Sequence, residues 1–353
     1  MTTGQPTSDK RAFWMALAVT AVVAVAGIWV YRATREGFTW QRFVAYFLGL
    51  DLRWLAASAI AALMTYVGRA LRWAVLIQPI RPHPSYRNLI SATVIGFTAL
   101  VLLGRPGEFV RPYLIANKEK LSITSQLAAW MLERIYDLLA ALLIFGFALS
   151  QVDHSTAQVG PGLKWVFQIG GSVTAVLSIV CLGALVTLGT LGDRIRLRLL
   201  EALSFLEQHH LEKVERAIIA FLEGTASTRS PAAVFSIVAY TALEWLLIAF
   251  CFFSALRAFP DLRHFGWLDV SILMGFVAFG SLVQLPGVGG GTQAVLLLTL
   301  RELFGVPNEA ALSVAIVVWA MTFLVVVPIG IPLALYEGIG WGKLRSIGRD
   351  ASP

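Results

Sequence analysis

"LPGVGGGTQAVLLLTL", residues 285–300, packs four glycines and a proline into the six positions 286–291 and then runs straight into an apolar, helix-like stretch. Glycine and proline both weaken a helix, so an uninterrupted membrane span has no use for such a cluster. Apolar residues lie on both sides of it, over 268–285 and onward to Phe304. The chain is therefore expected to turn here, within an apolar layer, and go back the way it came.

The rest of the chain makes that layer a membrane. Of 353 residues, 57% are hydrophobic and 14% charged, whereas soluble domains carry about 25% charged residues. The 28 Lys and Arg exceed the 21 Asp and Glu, but they are scattered among apolar runs. No basic face with interleaved aromatics is present, which argues against a nucleic-acid partner. Cys181 and Cys251 both lie inside apolar runs and offer neither a disulfide framework nor a CxxC metal site. The pair His209-His210 has no companion ligand at suitable spacing and reads as a solvated face. No metal and no cofactor is expected.

Runs long enough to cross cover 12–31, 54–77, 122–150, 165–191, 232–256 and 310–336. The first has Lys10 and Arg11 before it, like a signal peptide, but is long enough to span and ends on Trp29 and Tyr31, so it reads as retained. A shorter run, 88–103, has 16 residues, about 24 Å as a helix against a hydrocarbon core of roughly 30 Å. It ends at Gly104-Arg105-Pro106-Gly107. The expected fold is an all-α polytopic membrane protein of about six full spans plus two re-entrant helical hairpins.

If both interrupted runs enter and leave on one side, segments 1–11, 65–123, 192–230 and 337–353 share a side and hold 19 Lys and Arg, against 7 in 32–53, 151–164 and 257–267. The positive-inside rule makes the first set cytoplasmic, both termini included. Residues 1–353 then read as one transmembrane domain made of an inverted-topology repeat. Repeat 1 covers about 12–150 and repeat 2 about 164–337, the second interrupted by a cytoplasmic amphipathic helix over 193–223. That helix either lies on the membrane surface or caps the bundle. Gly96-Phe97 before Pro106-Gly107, and Gly275-Phe276 before Pro286-Gly287, are the residue-level echoes between the halves.

Irregular backbone at membrane depth is tolerated only where protein or a water-filled cavity surrounds it. Pro106 and Pro286 each suit the start of a short helix, whose free N–H groups would then face the midplane. Gly287, Gly289, Gly290 and Gly291 would leave the backbone open to an anion, with Thr292 and Gln293 as donors. Glycines that merely let helices pack closely are the competing reading. In "LGRPGEFVRPYLIA", Arg105, Glu108 and Arg111 recur every three residues, and the guanidinium fork matches phosphate. Arg69 and Arg72 either snorkel to headgroups or join the site. Glu133, Arg134 and Asp137 in "MLERIYDLL", and Glu244 in "YTALEWLL", fall deep inside apolar runs. Such charges form either a structural ion-pair network or a functional site.

Taken together, "LGRPGEFVRPYLI", "MLERIYD" followed by apolar residues, and "LPGVGGGTQ" with "FGVPNEAALSVAIV" resemble the transmembrane, flippase-like domain family of lysylphosphatidylglycerol synthases, over about residues 54–338. The resemblance implies a bacterial inner-membrane protein that moves a lipid or lipid-linked anion between leaflets. By it, Arg105, Glu108, Arg111, Glu133, Asp137 and the 286–291 loop carry over as site residues. Many relatives have Glu where this chain has Gln293 and Arg where it has Trp319, which makes an aminoacyl-phospholipid substrate less secure. No synthetase domain follows Tyr336, so lysyl transfer is not expected. The expected function is a non-enzymatic lipid transporter acting on membrane lipids such as a phospholipid or polyprenyl phosphate. The alternatives are a membrane enzyme acting on a lipid phosphate, with Glu133 or Asp137 as base, and a membrane scaffold.

Overall fold

The computed structural model describes residues 38–151, 161–190, 208–280 and 291–339, and among them every regular element is helical. The expected first span 12–31, residues 193–207 of the amphipathic segment and positions 281–290 of the second tip lie outside the described residues.

A short helix, α1 (Trp40–Leu48), leads into the long α2 (Leu52–Ile77), which Asp51 caps by accepting from the Arg53 N–H at 3.0 Å. Next come α3 (Tyr86–Leu103), a 3-10 turn (Arg105–Phe109) and α4 (Val110–Glu119). The 29-residue α5 (Ile123–Gln151) and the 30-residue α6 (Pro161–Thr190) follow. The second part holds α7 (Gln208–Gly224), α8 (Pro231–Arg257), α9 (Trp267–Gly280), α10 (Gly291–Glu302), α11 (Asn308–Thr322) and α12 (Val327–Tyr336). Among the described residues five helical stretches are long and apolar enough to cross a membrane: Leu52–Ile77, Tyr86–Leu103, Ile169–Thr187, Pro231–Arg257 and, as α11 and α12 together, Asn308–Tyr336.

Three local outcomes differ from the sequence reading. The short run 88–103 is an 18-residue helix of crossing length, because Ser85 caps it and adds a half-turn at Tyr86. Residues 32–53 are not all loop: α1 buries Tyr46 and Phe47 against the core while Trp40, Val44 and Leu48, four apart, face outward. The last span breaks at Phe323, where a 3-10 turn (Leu324–Val326) precedes α12. Pro328 cannot donate to the carbonyl four residues back, and it sits in the first turn of α12, where that donor is not needed.

Helix α3 and the segment after it form an antiparallel hairpin. Gly104 turns the chain with φ 71° and ψ −149°, a conformation open essentially to glycine alone. A side chain at Gly107 would run into the Ala99 carbonyl, and one at Gly96 would meet the Arg111 Cβ at 2.5 Å. At its base, buried Glu119 accepts from Asn88 Nδ2 at 2.7 Å and from the Ser85 N–H at 3.3 Å. Lys118 ties that base to Glu337, after α12, at 2.6 Å. Helices α9 and α10 also pack together, and the rings of Phe265 and Phe304, flanking the pair, lie 5.1 Å apart. Nearby, Arg263 pairs with Asp51 at 2.9 Å, which places the base of this second pair at the opposite end of the bundle.

Two large hydrophobic cores result, with smaller clusters around Phe145 and Phe276 and around Ala61 and Cys251. One joins α2, α3, α4 and α5, with Trp73, Leu89, Ile115 and Leu132 inaccessible at its centre. The other joins α8, α9, α10 and α11 around Phe259, Leu273, Leu300 and Val314. Helices α2 and α8 run antiparallel between them, with Trp54 against Phe253, Ser58 donating to the Cys251 carbonyl, and Arg72 donating to Thr241. Each of the two helix pairs also packs on a helix that follows the other: Gly275 of α9 against Ala148 of α5, and Thr98 of α3 against Gly330 of α12. The described part of the amphipathic segment, α7, packs on α5, its Gly224 against Ser125 and Ala128.

Candidate functional site

Four helices bring seven charged side chains together near the middle of α5 and α8. The register of α5 matters first: Glu133 and Asp137 are four apart and share a face. That face looks at α2, whose Arg69 and Arg72 are three apart. The hairpin places Arg111, one residue into α4, against the same face.

Arg72 is the hub. Its Nη2 donates to Glu133 Oε1 at 2.5 Å and to Asp137 Oδ2 at 3.2 Å. Its Nη1 donates to Asp137 Oδ1 at 2.6 Å and to Thr241 Oγ1 of α8 at 2.9 Å. Glu244 Oε2, also on α8, lies 3.2 Å from Nη2. Arg69 pairs with the other oxygen of Glu244, and Arg111 pairs with Glu133. Arg134 completes the set, 3.3 Å from Asp137 and 3.8 Å from Glu133.

The members are unequally enclosed. The side chains of Arg72, Glu133, Glu244 and Arg111 are 0%, 0%, 2% and 4% exposed, while Asp137 and Arg69 are 15% and Arg134 is 40%. Arg111 is further confined by two aromatic faces, its guanidinium carbon 4.2 Å from the Trp73 ring centre and 5.3 Å from that of Phe97. Arg69 lies over Phe97 as well, at 4.7 Å. Among the described residues Arg134 and Arg69 make ion pairs but donate no hydrogen bond, so their forks, 40% and 15% exposed, are the ones open to a further acceptor. Glu108, half-buried on the 3-10 turn, acts on Arg134 electrostatically.

Burying such charges is costly, and pairing compensates only when the geometry is good. The arrangement therefore holds both an enclosed, ion-paired interior and an accessible edge. Among the described residues no group of His, Cys, Asp and Glu is placed to hold a metal.

Of the residues singled out in the sequence, Arg69, Arg72, Arg111, Glu133, Arg134, Asp137 and Glu244 come together, and Glu108 stands beside them. Arg105 opens the 3-10 turn, and its side chain lies outside the described ones. Gly291, Thr292 and Gln293 form the first turn of α10, which contributes no partner to the network; Thr292 is buried and Gln293 half-buried. Pro286, Gly287, Gly289 and Gly290 lie outside the described residues.

Sequence reasoning left the central role of Arg72 open. Five residues separate it from the end of α2, a distance over which an arginine ordinarily reaches headgroups. In the structure Arg72 instead shares Glu133 with Arg111, which the hairpin lays against the neighbouring Trp73 ring. The signal available was two pairs at helical spacing with opposite charge, Arg69 with Arg72 and Glu133 with Asp137. Thr241, Trp73 and Phe97 carried no such signal.

A bundle of long apolar helices agrees with the comparison of sequences. Residues 13–330 match the family described as the lysylphosphatidylglycerol synthase TM region. The chain belongs to that family. As a lysylphosphatidylglycerol synthase TM-region protein it is a polytopic membrane protein, in keeping with its five crossing-length helices. No curated protein matches the chain.

Proposed function

We propose that this family member is a lipid transporter, which moves a lipid with a phosphate-bearing headgroup between leaflets without altering it. The observation that carries this reading is the buried arginine–carboxylate network, closed on the inside by Arg72 and open at Arg134. Charges at the middle of membrane helices are retained where they serve a path or a site, and a guanidinium fork suits a phosphate.

In this reading the two helical hairpins are re-entrant from opposite faces of the membrane, and the two halves form an inverted-topology repeat. Support comes from the opposite ends at which the hairpins open, from the crossed packing of α3 on α12 and α9 on α5, and from the antiparallel α2–α8 pair. The end that bears Lys118 and Lys120 faces the cytoplasm of a bacterial inner membrane, by the distribution of Lys and Arg. Movement comes from the halves rocking about α2 and α8.

The test is reconstitution of the purified protein into vesicles with labelled phospholipids and a labelled polyprenyl phosphate. Leaflet exchange of chemically unchanged lipid is expected, and Arg134→Ala and Asp137→Asn should each remove it. Recovery of a covalently changed lipid would instead favour an enzyme. Absence of exchange across the panel defeats the transporter reading.

A further inference from the structure

The ion pair between Arg69 and Glu244 is built differently from its neighbours. Arg69 is the partly accessible member, 15% exposed against 2% for Glu244. Arg72 lies 3.2 Å from Glu244 Oε2, yet its hydrogen bonds go to Glu133, Asp137 and Thr241. Glu244 Oε2 is buried and accepts no hydrogen bond. Arg69 is therefore the partner on which the charge of Glu244 depends.

The other charged groups acting on Glu244 are Arg72 from α2 and Asp137 and Glu133 from α5. Helices α9 and α11 pack on α8 as well, but no Asp, Glu, Lys, Arg or His lies between Asp269 and Arg301 or between Glu309 and Glu337. With Arg69 withdrawn, Glu244 would face two carboxylates and an arginine already committed to them. A buried carboxylate in that position is far costlier than a neutral carboxyl.

We propose that a lipid phosphate exchanges with Glu244 for the Arg69 guanidinium, and that the released Glu244 takes up a proton. This rests on the transporter reading and adds coupling to it. One ion pair is lost and another, Arg69 with phosphate, replaces it. The proton comes from water and forms an O–H bond on Glu244, so one proton enters with each headgroup bound. Glu244 is the sole acid that α8 adds to the network among the described residues, which puts the protonated group on the opposite side of the α2–α8 joint from Glu133 and Asp137.

The probe is dihexanoyl phosphatidylglycerol, a soluble diester whose phosphate lacks the second ionisation of a monoester. Calorimetric titration of the purified protein in buffers of different ionisation enthalpy counts protons taken up per lipid. Close to one is expected for the wild type at neutral pH, with affinity falling about tenfold per unit rise in pH. Glu244→Gln should bind with no proton uptake and a flat pH profile. Binding of the diester by wild type with neither uptake nor pH slope overturns the exchange and leaves the transporter reading standing. No binding by wild type defeats the headgroup site and the exchange with it. Uptake that persists in Glu244→Gln assigns the proton elsewhere and also overturns the proposal. Should that variant fail to fold, the wild-type pH slope and proton count alone decide.

Discussion

The hairpin of α3 and α4 with the helix α5 after it, and the pair α9 and α10 with α11 and α12 after it, share an order of elements but not a chemistry. The first carries Arg111, Glu133, Arg134 and Asp137 at the depth where the helices cross. The second has no charged residue from Val270 to Leu300, and none from Ala310 to Tyr336. Its described interior is aliphatic and aromatic, with short hydroxyl side chains such as Thr299 bonded back to their own helix. One architecture therefore tolerates either filling. What differs is the kind of group that holds the helices together, directional charge pairs in one half and close packing in the other.

The largest effect should come from breaking the charged half. Glu133→Gln leaves Arg72 and Arg111, both enclosed, without their shared carboxylate. Loss of one partner of a buried ion pair costs about 3–5 kcal/mol. The matched change in the other half, Thr299→Val, removes one hydroxyl hydrogen bond worth about 1 kcal/mol. Thermal unfolding in detergent would compare them. Equal losses would mean that the network is not what holds the first half.

The glycines sharpen the comparison next. Gly104→Ala must place a side chain at φ 71° and ψ −149°, at a cost of about 1–3 kcal/mol. In the second half Gly275 has no such backbone demand; an added Cβ would instead meet the Ala148 Cβ at 2.5 Å, an overpacking cost of about 1–3 kcal/mol. The two variants should lose similar stability for different reasons. A second substitution, Ala148→Gly, should recover part of the loss in Gly275→Ala, the Ile144 carbonyl at 3.0 Å remaining. In Gly104→Ala it should only add its own cost of about 0.5–1 kcal/mol, as read by the same unfolding midpoint.

How far these features were legible depends on what carries them. The helices follow from long apolar runs, and the first hairpin from Gly104, Pro106 and Gly107, because backbone requirements are written locally. The members of the network were legible as costly charges in apolar runs. Their pairing was not, since Arg72 reaches Glu133 and Glu244 only through the packing of α2 against α5 and α8. Helix α1 was hidden by its arginine and its short length. The break at Phe323 was hidden by unbroken apolarity, although Pro328 stood five residues on. Hydrophobicity marks where a chain is buried; it does not record where a buried helix is interrupted.

Arg134 separates stability from function within the charged half. With a side chain 40% exposed and ion pairs of 3.3 and 3.8 Å, it should contribute less than about 1 kcal/mol. Arg134→Ala is therefore expected to unfold near the wild-type temperature while losing lipid exchange in vesicles. Loss of both together would make it one more strut of the network.

The smallest effect tests the edge of the molecule. Helix α6 is the least enclosed of the crossing-length helices, with 11% of its apolar window buried, and nothing lies within 4 Å of a side chain added at Gly183. Glycine within a helix is less favourable than alanine by about 0.5–1 kcal/mol. Gly183→Ala should accordingly raise the unfolding midpoint slightly and leave lipid exchange unchanged. Gly224 is the contrast, since a Cβ there would strike the Ser125 carbonyl of α5. A marked loss in Gly183→Ala would show that α6 meets a partner helix at that face, and cross-linking from Gly183→Cys would then show whether the partner is a second copy of this chain.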